Sequence, residues 1–260
     1  LDISWISTPQ IFFFFLTGVV VRFFTSEQTV GAAGLMSALG MSDLQMTTFY
    51  IIAFFASLLG IVMSIVQLDL DDIRRPVVIS MLGIAIASWL EVNAGMNTRP
   101  VQLYVTQAIV AFCTLYFMGP MLLEGLTRAL AKSPYHIMSF SAVFGLSQSV
   151  GGLIGVAICS AFVTIRTHIH LADITQHLTL TDPNVVQQIN VLAKGYASQS
   201  SDMAVLQSKA VSTLVSQATA NATVLAYNDL SALIGAAAFT AFVFSGLSWL
   251  YRRYKKIDII

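Results

Sequence analysis

Long apolar stretches divide this sequence into six segments, each of about 20 or more mostly apolar residues. An α-helix rises about 1.5 Å per residue, so about 20 residues suffice to cross a hydrocarbon core about 30 Å thick. Polar and apolar residues do not alternate here as they do in the strands of a membrane barrel. The pattern therefore predicts six transmembrane helices, at residues 11–36, 47–68, 76–94, 101–123, 137–165 and 230–251.

The composition supports a lipid environment for these segments. Hydrophobic residues make up 56% of the 260-residue chain and charged residues only 10%. A soluble domain carries about 25% charged residues, which it needs to cover its surface. The formal net charge is zero, which argues against a nucleic-acid-binding surface. We therefore expect an all-α membrane protein whose main partner is the lipid bilayer.

Lysine and arginine predict the orientation, because short cytoplasmic connections carry most of these residues. The connections that follow the predicted second and fourth helices, and the C-terminal tail, hold most of the cations. These are Arg74, Arg75, Arg128, Lys132, Arg252, Arg253, Lys255 and Lys256. The opposite side offers Arg99 and Arg166. We therefore expect a multi-pass protein of the bacterial inner (plasma) membrane with both termini in the cytoplasm.

Residues 166–229 form the one long polar stretch, and this orientation places them outside the cytoplasm. Asp182 followed by Pro183 is typical of a helix start, since Asp caps free amides and Pro fits the first turn. Apolar residues then recur at helical spacing, as at Val185 and Ile189. A short amphipathic helix is predicted there.

The predicted sixth helix begins well before its membrane segment, because helical apolar spacing continues from Val205 without a proline. The chain is accordingly expected to have three parts. Residues 1–165 hold helices one to five, residues 166–229 form a partly helical outer loop, and residues 230–260 hold the sixth helix and a basic tail.

Two charged residues, Arg22 and Glu27, interrupt the first predicted helix. A charge at membrane depth costs at least about 2.5 kcal/mol unless it faces protein or water, so such residues usually mark a pathway. We interpret them as lining a cavity that senses substrate charge or protons. The alternatives are a structural pair within the bundle, or a shorter helix that ends near Glu27.

Four further polar side chains lie inside or beside predicted spans and are candidates for contacts with a substrate. They are Gln107, Tyr116, Gln148 and Asn228. For each of them taken alone, a hydrogen bond between helices is the simpler interpretation.

Charges also cluster in the connection after the second predicted helix, and we interpret them as a cytoplasmic gate. The acids are Asp69, Asp71 and Asp72, and the bases are Arg74 and Arg75. Orientation alone explains both arginines. It does not require three acids, which favours the gate.

Small residues mark the fifth predicted helix as a packing surface. Gly151 and Gly155 form a GxxxG pair, and Gly145 and Gly152 extend it, which allows a neighbouring helix to approach closely. This interpretation names no binding site.

The sequence contains no motif of an enzyme or of a bound metal. Phosphate-binding glycine loops, a nucleophile elbow, a CxxC pair and an HExxH helix are all absent. His168, His170 and His177 lie close in sequence, but no Cys and no acidic residue other than Asp173 lies at ligand spacing, so we expect a solvated loop. We therefore predict no catalytic activity, no metal and no cofactor.

Several stretches together resemble the last six helices of the drug:proton antiporters with fourteen spans, the EmrB/QacA type of the major facilitator superfamily. The acidic-then-basic connection Asp69 to Pro76 is similar to the one after the second helix of a facilitator bundle. The run from Gln107 to Pro120, which ends Tyr-Phe-Met-Gly-Pro, resembles the family's fourth helix of this half. The glycine-rich fifth span and the sequences Arg166-Thr167-His168 and Ala226-Tyr227-Asn228-Asp229 around the outer loop are also similar.

The resemblance implies one half of a major facilitator fold, a six-helix bundle that faces a second, N-terminal bundle absent from this chain. It further implies efflux of small amphipathic compounds, driven by the proton gradient. The long outer loop would suit docking to a periplasmic adaptor protein. Because the chain begins at Leu1 rather than Met, we expect a fragment. The alternative is a six-helix scaffold or oligomeric channel without transport activity of its own.

Overall fold

The computed structural model describes residues 6, 8–67, 74–177, 183–196 and 202–255, and every regular element in these ranges is helical. A π-helix at Glu27–Ala32 and a 3-10 helix at Pro100–Leu103 accompany eight α-helices among the described residues. These are α1 (Pro9–Thr25), α2 (Ala33–Ala38), α3 (Thr47–Val66), α4 (Arg74–Glu91), α5 (Tyr104–Lys132), α6 (His136–His177), α7 (Pro183–Gly195) and α8 (Met203–Lys255).

Five helical stretches are long and apolar enough to cross a membrane, judged by length and composition. They are Ile11–Ala38, Thr47–Val66, Pro100–Lys132, His136–Gln176 and Met203–Tyr251. The prediction of an all-helical chain with several candidate membrane spans is therefore confirmed.

The predicted segment 76–94 forms α4, which is not among these five stretches. The reason is its composition: Arg74 and Arg75 at one end and Glu91 at the other place three charges in an 18-residue helix. A bundle of six membrane-crossing helices therefore stays a prediction.

The long helical segments pair in a defined pattern, and they are numbered in chain order. The first is Ile11–Ala38, and the second to the sixth are α3, α4, α5, α6 and α8. The most extensive contacts join the second to the fourth, the third to the sixth, the fifth to the sixth, the first to the fifth and the third to the fourth.

A continuous apolar core lies between α1, α4, α5, α6 and α8. Phe14 of α1 contacts Phe140 of α6, with ring centroids 5.7 Å apart. Outside this core, α7 packs on the first part of α8, where Val185 and Ile189 meet Leu206. The predicted amphipathic helix and the early start of the last helix are thus both present.

Helix α3 shows most clearly how apolar side chains remain outside the core. Its buried residues Phe49, Ala53, Gly60 and Ser64 follow one face of the helix, which packs on α5. Its exposed residues are large and apolar as well, including Phe54 at 59% and Leu59 at 60% exposure. Contiguous apolar surface of this kind is typical of contact with lipid or with another protein.

Helix α6 extends well beyond the predicted span 137–165, because it continues to His177. Residues 166–177 are therefore helical, whereas we expected them to open the outer loop. The sequence contains no Gly or Pro between Gly155 and Pro183, so nothing in it ends the helix earlier.

Candidate functional site

A buried carboxylate closes helix α4. Glu91 is the last residue of that helix and is only 5% exposed. Its Oε1 atom accepts a hydrogen bond from the Gln107 side-chain amide, Nε2, at 2.9 Å, and another from the Thr106 hydroxyl. Both donors are neutral and belong to the first turn of α5. The carboxylate is thus held by hydrogen bonds, without a cation among the described residues.

The connection between α4 and α5 links this carboxylate to its two donors along the chain. Thr98, Pro100 and Leu103 are buried within it. The backbone amide of Gly95 donates to the Thr98 hydroxyl at 2.8 Å, which fixes the turn. The 3-10 helix then leads directly into α5 and so places its first turn beside Glu91.

Two serines share the buried side of α4 with Glu91, and the apolar Ile84 lies between them. Ser80 and Ser88 are both fully buried and lie eleven and three residues before Glu91, which is one side of a helix. The Ser80 hydroxyl donates to the Cys113 carbonyl of α5 at 3.0 Å. The Ser88 hydroxyl has no hydrogen-bond partner among the described residues. An unsatisfied buried hydroxyl is costly and is uncommon in native structures.

Asn228, a predicted substrate contact, instead joins α8 to the connection between α4 and α5. Its Nδ2 donates to the Ala94 carbonyl at 2.9 Å. Its Oδ1 is buried without a hydrogen-bond partner in the described part of the chain. Gln107, another predicted contact, is the residue that binds Glu91. The structure therefore brings these two candidates to the same end of the bundle.

Three charged or titratable side chains join α6 to α8 near this end. Asp229 Oδ2 lies 2.6 Å from Arg166 Nε and 2.7 Å from His170 Nε2. All three side chains are partly buried. His170 is therefore part of an interhelical cluster and not of a solvated loop. Sequence reasoning missed this cluster because about 60 residues separate its two sides and no local spacing relates them.

Arg22 lies on α1, where the guanidinium Nη1 donates to the Thr25 hydroxyl at 3.2 Å. The side chain is half-buried and runs along α6 beside Gly151 and Gly152. Its predicted companion Glu27 is the first residue of the π-helix, and the Glu27 side chain lies outside the described side chains.

The π-helix at Glu27–Ala32 interrupts the first segment and begins five residues after Arg22. π-helical turns are rare in proteins, and those that do occur are often found at functional sites. The sequence pattern gave no sign of it, since its residues are compatible with a regular helix. The irregular turn separates α1 from α2 within one membrane-length segment.

The glycines of α6 differ in what they contact. A Cβ added at Gly151 would lie 2.8 Å from the Val19 carbonyl oxygen, and one at Gly155 would lie 2.2 Å from the Ser26 hydroxyl. These two glycines therefore allow α1 to approach closely. At Gly152 the nearest atom is Arg22 Nε at 3.4 Å, an ordinary contact. Gly145 was expected in the same surface, but it is exposed, and a Cβ added there would contact no other part of the structure within 4 Å.

The remaining candidates are dispersed. The Tyr116 hydroxyl donates to Gln67 Oε1 at 2.7 Å, which links α5 to the end of α3. Gln148 is half-buried on α6. Of the predicted gate, Arg75 is exposed in the first turn of α4. Asp69, Asp71 and Asp72 lie outside the described residues, and so does the Arg74 side chain.

Glu91 was absent from the sequence candidates, although a signal for it existed. It is the one charged residue in the predicted segment 76–94. Ionisable residues within membrane segments usually mark a functional site. In the described part of the chain, no group of three His, Cys, Asp or Glu residues is arranged to hold a metal ion.

Comparisons with protein-family models, with curated proteins and with solved structures find no match to this chain.

Proposed function

We propose that this chain is the C-terminal six-helix bundle of a proton-coupled efflux transporter, an antiporter of the EmrB/QacA type in the major facilitator superfamily. In this proposal α4 is the third membrane-crossing helix. The observation that carries the proposal is the pattern of helix pairing.

Three of the extensive pairings are related by a simple exchange. The exchange pairs segment one with four, two with five, and three with six. It converts the contact between the first and fifth segments into a contact between the fourth and second, and that contact is also extensive. The contact between the third and sixth segments is unchanged by the exchange. The contacts of the fifth with the sixth and of the third with the fourth have no counterparts of similar extent, which would join the second to the third and the sixth to the first.

An exchange of three helices with three is what an inverted repeat produces. Each six-helix half of a major facilitator transporter contains such a repeat, and its substrate site lies at the midplane between two halves. The pairing of this chain, together with five apolar helices of membrane length, supports the same architecture.

The described surfaces suit one wall of a transport cavity. Exposed apolar side chains on α3 and α6 provide area for lipid, for a second bundle or for the apolar part of a substrate. Arg22, next to the π-helix, supplies a charge within a membrane-length segment. Amphipathic compounds present both apolar and charged groups, so these features favour them as the transported class.

The proposed location is the bacterial inner membrane, with both termini in the cytoplasm. Helix α7 and the first part of α8 then lie outside, where they form a surface suited to a periplasmic adaptor. Arg75 and the neighbouring charges lie at the cytoplasmic end, where a gate would close. An N-terminal bundle would complete the cavity.

Efflux of a lipophilic cationic dye tests this function. Cells that express the full gene should retain less ethidium than cells with an empty vector, and a protonophore should abolish the difference. Equal retention in both cells, or a difference insensitive to the protonophore, contradicts the proposal. Dye-independent ion conductance in planar bilayers would favour an oligomeric channel instead.

A further inference from the structure

The Glu91 carboxylate is buried without a cation among the described residues that could balance its charge. It is 5% exposed and receives two neutral hydrogen bonds, from Thr106 and Gln107. Burial of an ionised carboxylate is expensive unless the charge is paired, whereas a neutral carboxylic acid needs only hydrogen bonds. The printed hydrogen bonds to the carboxyl group thus come from two neutral donors.

Both hydrogen bonds reach the same oxygen, Oε1. A proton can therefore bind Oε2 without displacing either donor. The two donors hold the carboxyl group in place in both of its protonation states.

Thr106 offers a second way to accommodate a proton. Its hydroxyl is close to two acceptors, Glu91 Oε1 and the Leu103 carbonyl oxygen, the latter at 3.0 Å. A hydroxyl has one hydrogen to donate and can also accept. When the carboxyl is ionised, Thr106 can donate to it. When the carboxyl is protonated, Thr106 can accept from it and donate to Leu103.

Other charged and titratable groups on the neighbouring elements are engaged elsewhere. Asp229 of α8 binds Arg166 and His170 of α6. The Arg99 guanidinium, in the connection, contacts Met41 Sδ. Tyr104 of α5 and Tyr227 of α8 belong to the apolar cluster around Leu103. None of these groups forms a hydrogen bond or ion pair with Glu91 within the described structure.

We propose that Glu91 is the group that binds the coupling proton, an inference that rests on the proposed antiport. In the step concerned, the carboxylate and one proton from the outer solution give a neutral carboxylic acid. No other bond forms or breaks. Release of the same proton to the inner side restores the carboxylate.

The charge state of Glu91 would control whether the connection between α4 and α5 is closed or open. As an acid, Glu91 tolerates its buried position, so the outer end closes. As an anion, it favours hydration, so the outer end opens. The buried face with Ser88 and Ser80 extends from this site toward the opposite end of α4.

The test compares Glu91→Gln with Glu124→Gln in proteoliposomes that contain the full-length protein. Glu124 is a matched control because its carboxylate pairs with Arg128 of the same helix at a partly exposed position. Ethidium transport is measured in two modes, one driven by a pH gradient and one as counterflow without a gradient. The pH-dependent infrared C=O stretching band of protonated carboxyl groups is recorded on the same samples.

Glu91→Gln should lower gradient-driven transport about tenfold or more, because an amide cannot take up a proton in this range. Counterflow should persist, and one pH-dependent carboxyl band should be lost. Glu124→Gln should change neither mode. Gradient-driven transport that survives in Glu91→Gln, loss of counterflow together with it, or an unchanged set of carboxyl bands would each overturn the assignment.

Failure of the proposed function gives a different result. In that case the unsubstituted protein itself shows no gradient-driven transport. The infrared band still reports whether Glu91 binds a proton, so the two ideas are judged separately.

Discussion

The Arg166 Nη2 atom lies 2.5 Å from Asp229 Oδ2, and this ion pair joins α6 to α8. Both side chains are about one-third exposed, so solvent weakens the interaction. We expect a double-mutant cycle between Arg166→Ala and Asp229→Asn to give a coupling free energy of about 0.5–1 kcal/mol. Thermal unfolding in detergent, with and without added salt, measures it.

The control for this pair is Arg128→Ala combined with Glu124→Gln, an ion pair within one turn of α5. Its coupling should be about 0.3–0.5 kcal/mol, as for other pairs at this spacing. If the Arg166 and Asp229 substitutions are simply additive, the ion pair does not help to hold α6 on α8.

Replacement of Gly151 should loosen the contact between α1 and α6. A Cβ there would lie 2.8 Å from a backbone oxygen of Val19, which cannot move aside as a side-chain end can. Gly151→Ala should therefore destabilise the protein by about 1–3 kcal/mol. Gly145→Ala, in open space on the same helix, should be neutral or stabilise by up to about 1 kcal/mol. Equal unfolding temperatures for the two variants would contradict this packing.

Two buried serines of α4 should respond differently to alanine. Ser80 donates to the Cys113 carbonyl, so Ser80→Ala should cost about 1 kcal/mol. Ser88 has no hydrogen-bond partner among the described residues, so Ser88→Ala removes an unsatisfied group and should not destabilise. Detergent-solubilised unfolding of both variants checks this. A larger loss for Ser88→Ala would reveal a partner for its hydroxyl.

Arg22 should matter through its charge rather than through its contact with α6. Its Cβ packs at Gly151, and Arg22→Met keeps that apolar stem while it removes the guanidinium. We expect Arg22→Met to lower ethidium efflux several-fold, Arg22→Lys to retain most of it, and both to fold normally. Arg128→Met, at an exposed site, is the matched control. Normal efflux in Arg22→Met would remove the guanidinium from the mechanism.

Local sequence signals were sufficient for the main α-helices, but not for the π-helix at Glu27–Ala32. Apolar length predicted the segments, and Asp182-Pro183 predicted the helix that begins at Pro183. The extension of α6 to His177 could also have been predicted from the absence of Gly and Pro. These features depend on neighbours within a few residues, which is the information a single sequence contains.

The candidate site depended on contacts between distant parts of the chain. Glu91 and Gln107 come from different helices, and Asp229 meets His170 across 59 residues. Whether Gly145 or Gly151 faces α1 depends on how α6 is rotated, and both satisfy the same small-residue pattern. Residue type identified groups that are costly in a membrane, but not the partners that stabilise them.

The central claim is that the helices cross a membrane and place the two ends of the bundle on opposite sides. Tyr135 and Met203 test it directly, since they are 90% and 69% exposed and lie beyond opposite ends of the proposed spans. Single-cysteine variants at these positions, with Cys113 and Cys159 replaced by alanine, are treated with a membrane-impermeant maleimide in intact spheroplasts. Met203→Cys should be labelled at once, and Tyr135→Cys only after permeabilisation. Equal labelling of both before permeabilisation, or recovery of the protein in the soluble fraction, would contradict the account.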